Sequence, residues 1–261
     1  MTDLKTRYTF GHSNTAAVRL KLIADFFNRY SSDFITAHTI NHKIQTSIDL
    51  GCGIGHTTKM LQQASRSIKT YGFDISEDFI NQASVNYPEL QFIIQDVTDK
   101  MFPVHADLLY SRFLLTHLKH IDIIIANWIN QLKLAGYLFL DELEDITTNI
   151  EVFRKYLEIN TNLVKSQGGE MFVGQFLDEK VKNMNVVFRE SCIIPVEIKM
   201  AASWFYPNTI SIWKTEQKVL TSTTSDEREK ISKELLYLQN GKKAEGFITW
   251  KMKRIIIQKA K

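Results

Sequence analysis

Apolar positions recur along the chain with two periods, and the changes of period mark the elements. Over residues 15–30, Ala16, Leu20, Ile23, Phe27 and Tyr30 fall on one stripe at spacings of three and four. That predicts an amphipathic helix, with Asn14 as its cap. Residues 46–50 read as a short strand that runs into Gly51-Cys52-Gly53-Ile54-Gly55, and helical character resumes over 56–63. A second strand is expected over 69–75. Ser76 then opens a helix with a capping hydroxyl and two acids, Glu77 and Asp78, in its first turn. Strands follow over 90–94 and 106–111. Ile121, Ile124, Ile125, Trp128, Ile129 and Leu132 predict a helix over 121–132, and a fifth strand is expected over 137–140. This alternation predicts parallel strands joined by right-handed crossovers, with helices on both faces and a ligand beyond the C-terminal strand ends.

Beyond about residue 145 the pattern is less regular. Helices are expected over 149–164 and 174–184, and a strand over 186–200, followed by the aromatic run Trp204-Phe205-Tyr206-Pro207. Further helices are expected over 209–220 and 225–238, the second opened by a capping box of Thr224 and Glu227. Residues 247–258 alternate as a strand. The long connection before them predicts a helical excursion over the sheet edge.

Composition narrows the class. With 261 residues, 44% apolar and 23% charged, the chain suits one large globular α/β domain and not a disordered one. The net charge of +3, without a dense basic run, argues against nucleic acid and membrane surfaces. No apolar stretch approaches the ~20 residues that span a bilayer. The N-terminal residues lack the apolar core of a signal peptide. Cys52 and Cys192 are too few for a disulfide framework, so a reducing cytoplasm is expected.

The candidate chemistry concentrates at Gly51, Gly53 and Gly55, where a strand ends and a helix begins. Glycines there allow a tight turn and close approach of a nucleotide-type ligand. The dinucleotide fingerprint needs a glycine where His56 stands, and no Gly-Lys-Ser/Thr follows to make a phosphate-binding loop. Asp74 ends the second strand 23 residues after Gly51, where an acid can take ribose hydroxyls or cap the next helix. Asp96 lies just past the third strand and could accept from an adenine amino group or be an ordinary loop acid.

Together these segments resemble the class I S-adenosylmethionine-dependent methyltransferases. The resemblance rests on residues 48–55, 71–76, 95–97 and 107–111, and on the turn 132–138, where Leu134 and Ala135 replace the usual Pro-Gly. It covers residues 45–145 firmly and is only architectural from 150 onward. It implies a Rossmann-like, doubly wound seven-stranded sheet, mostly parallel with an antiparallel last strand, plus inserted helices. Residues 247–258 fit that last strand. It divides the chain into an N-terminal helical segment or lid (1–44), a cofactor-binding core (45–145) and a C-terminal part with a helical cover (146–261).

For the site, the resemblance implies that Gly51, Gly53 and Gly55 lie against the methionine part of S-adenosylmethionine, with Asp49 holding the turn. Asp74 would bind the ribose, Ile75 would pack on adenine, and Asp96 with the Val97 N–H would read the adenine edge. Ser111 and Arg112 would line the methionine end. The acceptor side is less marked. His117 is the candidate base, or a backbone-bonded histidine at a helix start. Glu142 and Glu144, placed beyond the fifth strand, could contact the acceptor or be solvated loop acids. Tyr8 and His12, with Phe10, could form a lid, and Trp204 and Tyr206, with Trp213 nearby, an aromatic acceptor wall or part of the core. No metal is expected, and the chain should be a monomer or homodimer. The near-neutral charge and the absence of Asn/Asp-Pro-Pro-Tyr/Phe after the fourth strand favour a small-molecule acceptor over a nucleic acid. A nicotinamide oxidoreductase and a non-catalytic binding protein on the same fold stay open as rivals.

Overall fold

The computed structural model describes residues 14–260, with side chains from Ala16 onward. Tyr8, Phe10 and His12 lie outside the described residues. The amphipathic stripe becomes α1 (Asn14–Thr39), longer than expected, with Asn14 itself helical and so not its cap. Strands β1 (Thr46–Leu50), β2 (Lys69–Asp74), β3 (Gln91–Ile94), β4 (Ala106–Arg112) and β5 (Leu132–Thr148) alternate with α2 (His56–Ser65), α3 (Glu77–Asn86) and α4 (Ile121–Gln131). After them come α5 (Glu151–Ser166), α6 (Leu177–Lys180), β6 (Val186–Pro195), α7 (Ile198–Ile210), α8 (Gln217–Ser222), α9 (Ser225–Gln239) and β7 (Ile248–Gln258).

The seven strands form one sheet in the order β3-β2-β1-β4-β5-β7-β6. Strands β1 to β5 pair in parallel, and β7 runs antiparallel between β5 and β6. The seven-stranded, mostly parallel arrangement expected from the motifs is the one found. Both faces are covered. Leu108, Tyr110 and Phe139 pack with Phe34 and Ile35 of α1 and Leu61 of α2, while Ile48, Leu109, Leu140 and Ile255 pack with Ile124, Ile125 and Trp128 of α4. No helix among the described residues is long and apolar enough to cross a membrane.

The second half departs from the expectations in four places, one being the helix expected over 209–220, which is split among the end of α7, a 3-10 turn at Ile212–Lys214 and α8. Strand β5 runs to Thr148, because β7 pairs along it from Tyr137 to Thr148, so Glu142 and Glu144 lie within the strand and not beyond it. The helix expected over 174–184 is one short turn, α6, after a 3-10 turn at Val173–Gln175. The strand expected over 186–200 ends at Pro195, and the aromatic run is helical, with Pro207 inside α7. The excursion between β6 and β7 is helical, as anticipated, and Thr224 caps α9 by accepting from the Glu227 N–H at 3.1 Å. These helices, with α5, pack on one core: Trp204 and Phe205 of α7 and Tyr156 of α5 meet Leu143 and Ile146 of β5 and Trp250 of β7.

Candidate active site

A cavity lies against the turns that follow β1, β2, β3 and β4. The turn after β1 is its floor. Gly51, Gly53 and Gly55 all hold positive φ, +69°, +52° and +89°, a region closed to most side chains. They serve different ends. A Cβ on Gly51 would stand 2.7 Å from the Leu114 side chain, and one on Gly55 would stand 2.9 Å from the Phe92 ring and 3.0 Å from Tyr87. On Gly53 the nearest contact is Leu20, at 3.3 Å. Gly51 and Gly53 line the cavity; Gly55 does not, and its missing side chain lets the turn close on α3 and β3.

Asp74 closes the turn from the next strand. Its Oδ2 accepts from the Gly53 N–H at 2.9 Å, and its Oδ1 from the Ser76 N–H at 2.9 Å. Capping of α3 falls to Ser76, whose hydroxyl accepts from the Phe79 N–H. Asp74 is therefore held by backbone on two sides while it lines the cavity. Ile75, Gln95, Asp96 and Val97 continue the same wall. Ile75 is 53% exposed, an apolar side chain left uncovered at the cavity. Asp96 uses Oδ1 to accept from the Thr98 N–H and hydroxyl, and the Val97 carbonyl accepts from Trp128 Nε1 at 2.7 Å.

Asp49 and Ser111 stand behind the wall. Asp49 is buried and accepts from the Thr58 hydroxyl at 2.8 Å. Burial lifts its carboxyl to about 7, against the pull of Thr58 and the Arg112 charge. Arg112 does line the cavity, its guanidinium held by Ser31, Asn28 and Thr57. Ser111 donates to Glu142 Oε1 at 2.8 Å, and the same oxygen takes the Leu114 and Leu115 N–H groups at 3.3 Å. Glu142 thus anchors the turn after β4 from inside the sheet. Burial raises its carboxyl to about 7, and it does not reach the cavity. Glu144 pairs with Lys251 at 3.0 Å and is likewise away from the cavity.

The far half of the cavity is apolar and aromatic. Phe27, Phe113, Leu143, Ile146, Trp204 and Trp250 wall it, with Arg19, Thr116, His117, Tyr156 and Asn208 as its polar groups. Phe113 holds φ +55°, a left-handed conformation unusual for an aromatic residue, and its ring meets Phe27 edge-on at 5.2 Å. Burial and the Arg19 charge push His117 down to about 3, so the imidazole is neutral at physiological pH. The same environment makes it a weak base. Trp204 lines the cavity and is also core, packed on Phe26, Phe27 and Trp250. Tyr206 does not reach the cavity, whereas its neighbours Phe205 and Asn208 do. Trp213 stacks behind Tyr156.

A cavity at the C-terminal strand ends, floored by a glycine turn and closed by Asp74, is where this fold takes a nucleotide-type ligand. The family model for a methyltransferase domain matches residues 48–140, from β1 to β5. Over that stretch the chain is similar to a methyltransferase domain. Trans-aconitate 2-methyltransferase of Enterobacter sp. (strain 638) is 36% identical over 92 residues, 35% of this chain and 36% of that enzyme, so the chain matches about a third of that relative's length. Among solved structures, coclaurine N-methyltransferase bound to N-methylheliamine and S-adenosylhomocysteine superposes with a TM-score of 0.56 at 14% identity, covering 89% of this chain and 72% of that one. N-methyltransferase NodS from Bradyrhizobium japonicum WM9, in complex with S-adenosylhomocysteine, does so with a TM-score of 0.53 at 10% identity, covering 95% and 100%. These likenesses are of fold.

The segment that matches the family model holds the motif residues but only part of the far wall. Arg19 was legible in principle, since it falls on the apolar stripe of α1 between Ala16 and Ile23. Tyr156, Asn208 and Trp250 carry no local signal.

Proposed function

We propose that the chain is a methyltransferase that moves a methyl group from S-adenosylmethionine to a small-molecule acceptor. The observation that carries this reading is the continuity of the cavity. One end is floored by Gly51 and Gly53 and edged by Asp74 and Asp96, and the other is an aromatic chamber reached past Arg112 and Leu114. The residues fit the cofactor. Gly53 offers a surface that a side chain would fill, and Ile75 offers an uncovered apolar face of the kind that packs on a base. In this reading Gly51 and Gly53 lie along the methionine part. Asp74 accepts from the ribose hydroxyls, and Ile75 with Asp96 and the Val97 N–H holds the adenine. Arg112 lines the methionine end, and Asp49, Gly55 and Ser111 act from behind, through the turn and through Glu142.

The bound cofactor supplies a methyl group made electrophilic by its sulfonium. What the chain contributes is alignment: a donor held on the glycine turn and an acceptor held in the aromatic chamber approach in line. His117 borders this chamber as a neutral imidazole, better suited to hydrogen-bonding the acceptor than to removing a strongly held proton.

Calorimetry with S-adenosylmethionine, S-adenosylhomocysteine, NAD and NADP tests the assignment. Binding of the first two alone is the expected result. Tight binding of a nicotinamide nucleotide, with none of the methionine nucleotides, would overturn it.

A further inference from the structure

Buried indoles ordinarily give their N–H to an acceptor. Trp128 and Trp213, which do not line the cavity, do so: Trp128 Nε1 donates to the Val97 carbonyl at 2.7 Å, and Trp213 Nε1 to Asn160 Oδ1 at 3.4 Å. Trp204 lines the cavity at 2% exposure, and its Nε1 is buried with no hydrogen-bond partner among the described residues. Its ring is packed on Phe26, Phe27 and Trp250, so the N–H cannot swing out to water without breaking those contacts.

A second donor stands one turn further along α7. Asn208 is four residues on from Trp204, on the same helix face, and also lines the cavity. Its Nδ2 donates to the Tyr156 hydroxyl, and burial lifts that phenol to about 12, so Tyr156 keeps its proton. With the phenol oxygen accepting from Asn208, the proton is left for another partner. Turning the amide over would reverse the roles, with Tyr156 donating to Oδ1 and the Nδ2 hydrogens left to give. In either arrangement the pair has a hydrogen to offer.

We infer that the methyl acceptor carries a hydrogen-bond-accepting oxygen, of carbonyl or ether type, on an apolar or aromatic body, and that Trp204 Nε1–H donates to it, with the Tyr156–Asn208 pair as a second donor. This rests on the reading of the cavity as a cofactor site joined to an acceptor site. Phe27, Phe113 and Trp250 bury the apolar body and would take almost any molecule of the right size. The indole N–H supplies the selection. A molecule without the oxygen leaves it buried and unpaired, which is costly. An ammonium group in the same place sets donor against donor, since indole has no acceptor to give. Trp204 is thereby a specificity-determining residue as well as a wall.

The test uses three probes of nearly one shape: 4-phenylbutan-2-one, (3-methylbutyl)benzene, in which a methyl group replaces the oxygen, and protonated 4-phenylbutan-2-amine. Each is titrated into ¹⁵N-labelled protein saturated with S-adenosylhomocysteine, and the Trp204 indole N–H resonance, assigned through its backbone, is followed. Relative to the hydrocarbon, the ketone should move that proton downfield, as a new hydrogen bond does; the shared phenyl ring makes the same ring-current contribution to both. Trp204→Phe keeps an aromatic wall without the N–H, and it should weaken the ketone about fivefold more than the hydrocarbon. Equal indole shifts with ketone and hydrocarbon overturn the inference. So does an amine that binds where the ketone does not, or the failure of all three to bind protein shown to hold S-adenosylhomocysteine. Should Trp204→Phe fail to fold, the indole resonance of the wild-type chain decides alone. A wild-type chain that does not bind S-adenosylhomocysteine overturns the proposed function instead, so the two failures are distinct.

Discussion

Ser111 on β4 donates a hydrogen bond to Glu142 on β5 at 2.8 Å, and the Glu142 carboxyl is wholly buried. Its titration lies near 7 in the folded chain, against 4.5 for an ordinary glutamate. Below about pH 4.5 both folded and unfolded chains hold the proton. Between 4.5 and 7 the folded chain holds it more firmly, so this group's contribution to stability falls as pH rises through that window. Glu142→Gln removes the effect. Relative to wild type, the variant should gain on the order of 3 kcal/mol between pH 4.5 and 8. Urea unfolding of both proteins across that range measures the difference, and parallel curves would show that Glu142 titrates normally.

Asp74→Ala should lower S-adenosylhomocysteine affinity at least tenfold, since a charge-assisted hydrogen bond contributes about 1.5–3 kcal/mol. The Gly53 and Ser76 N–H groups lose their acceptor as well. Gly53 and Ser76 are buried, but Asp74 itself is only partly buried and lines the cavity, so water can enter the space its carboxylate leaves and the melting temperature should move by only a few degrees. A variant that binds as wild type would mean that the carboxylate serves the turn alone.

Gly53 and Gly55 should respond in opposite ways to the same change. Gly53→Ala meets only Leu20, so its cost is backbone strain of about 1–2 kcal/mol, and its main effect should be lost ligand affinity. Gly55→Ala adds crowding against Phe92, Tyr87 and Ala83 and should destabilise by a further ~1–3 kcal/mol. Thermal melts and ligand titrations on the pair give the comparison; equal loss of binding at equal stability would contradict it.

Trp204→Ala should cost about 3–5 kcal/mol, because the side chain is buried against Phe26, Phe27 and Trp250. Tyr206→Ala, partly buried and off the cavity, should cost clearly less and leave ligand binding near wild type. A Tyr206 variant that abolishes binding while melting normally would place that ring nearer the site than its position on α7 allows.

Much of the glycine-turn half of the cavity was legible in the sequence. The glycine turn, Asp74, Ile75, Asp96 and Arg112 are each within a few residues of a strand's end, and parallel strands joined by short crossovers bring those ends together without further information. Local pattern also placed the caps at Ser76 and Thr224, which act within three residues. It could not say that Gly55 serves packing while Gly53 faces the cavity, because that depends on where Phe92 and Leu20 lie.

Trp204 aside, the aromatic chamber was decided by tertiary structure. Insertion of the antiparallel β7 beside β5 extends that strand to Thr148, turning Glu142 and Glu144 from expected loop acids into residues of the sheet. It also carries Trp250 into contact with Phe27, more than two hundred residues away, and with Trp204 of α7. Helical periodicity marks a buried stripe but not what the stripe will face. The same apolar positions of α1 that would serve as core against another helix become, beside Tyr156 and Asn208, the wall of a cavity with Arg19 in it.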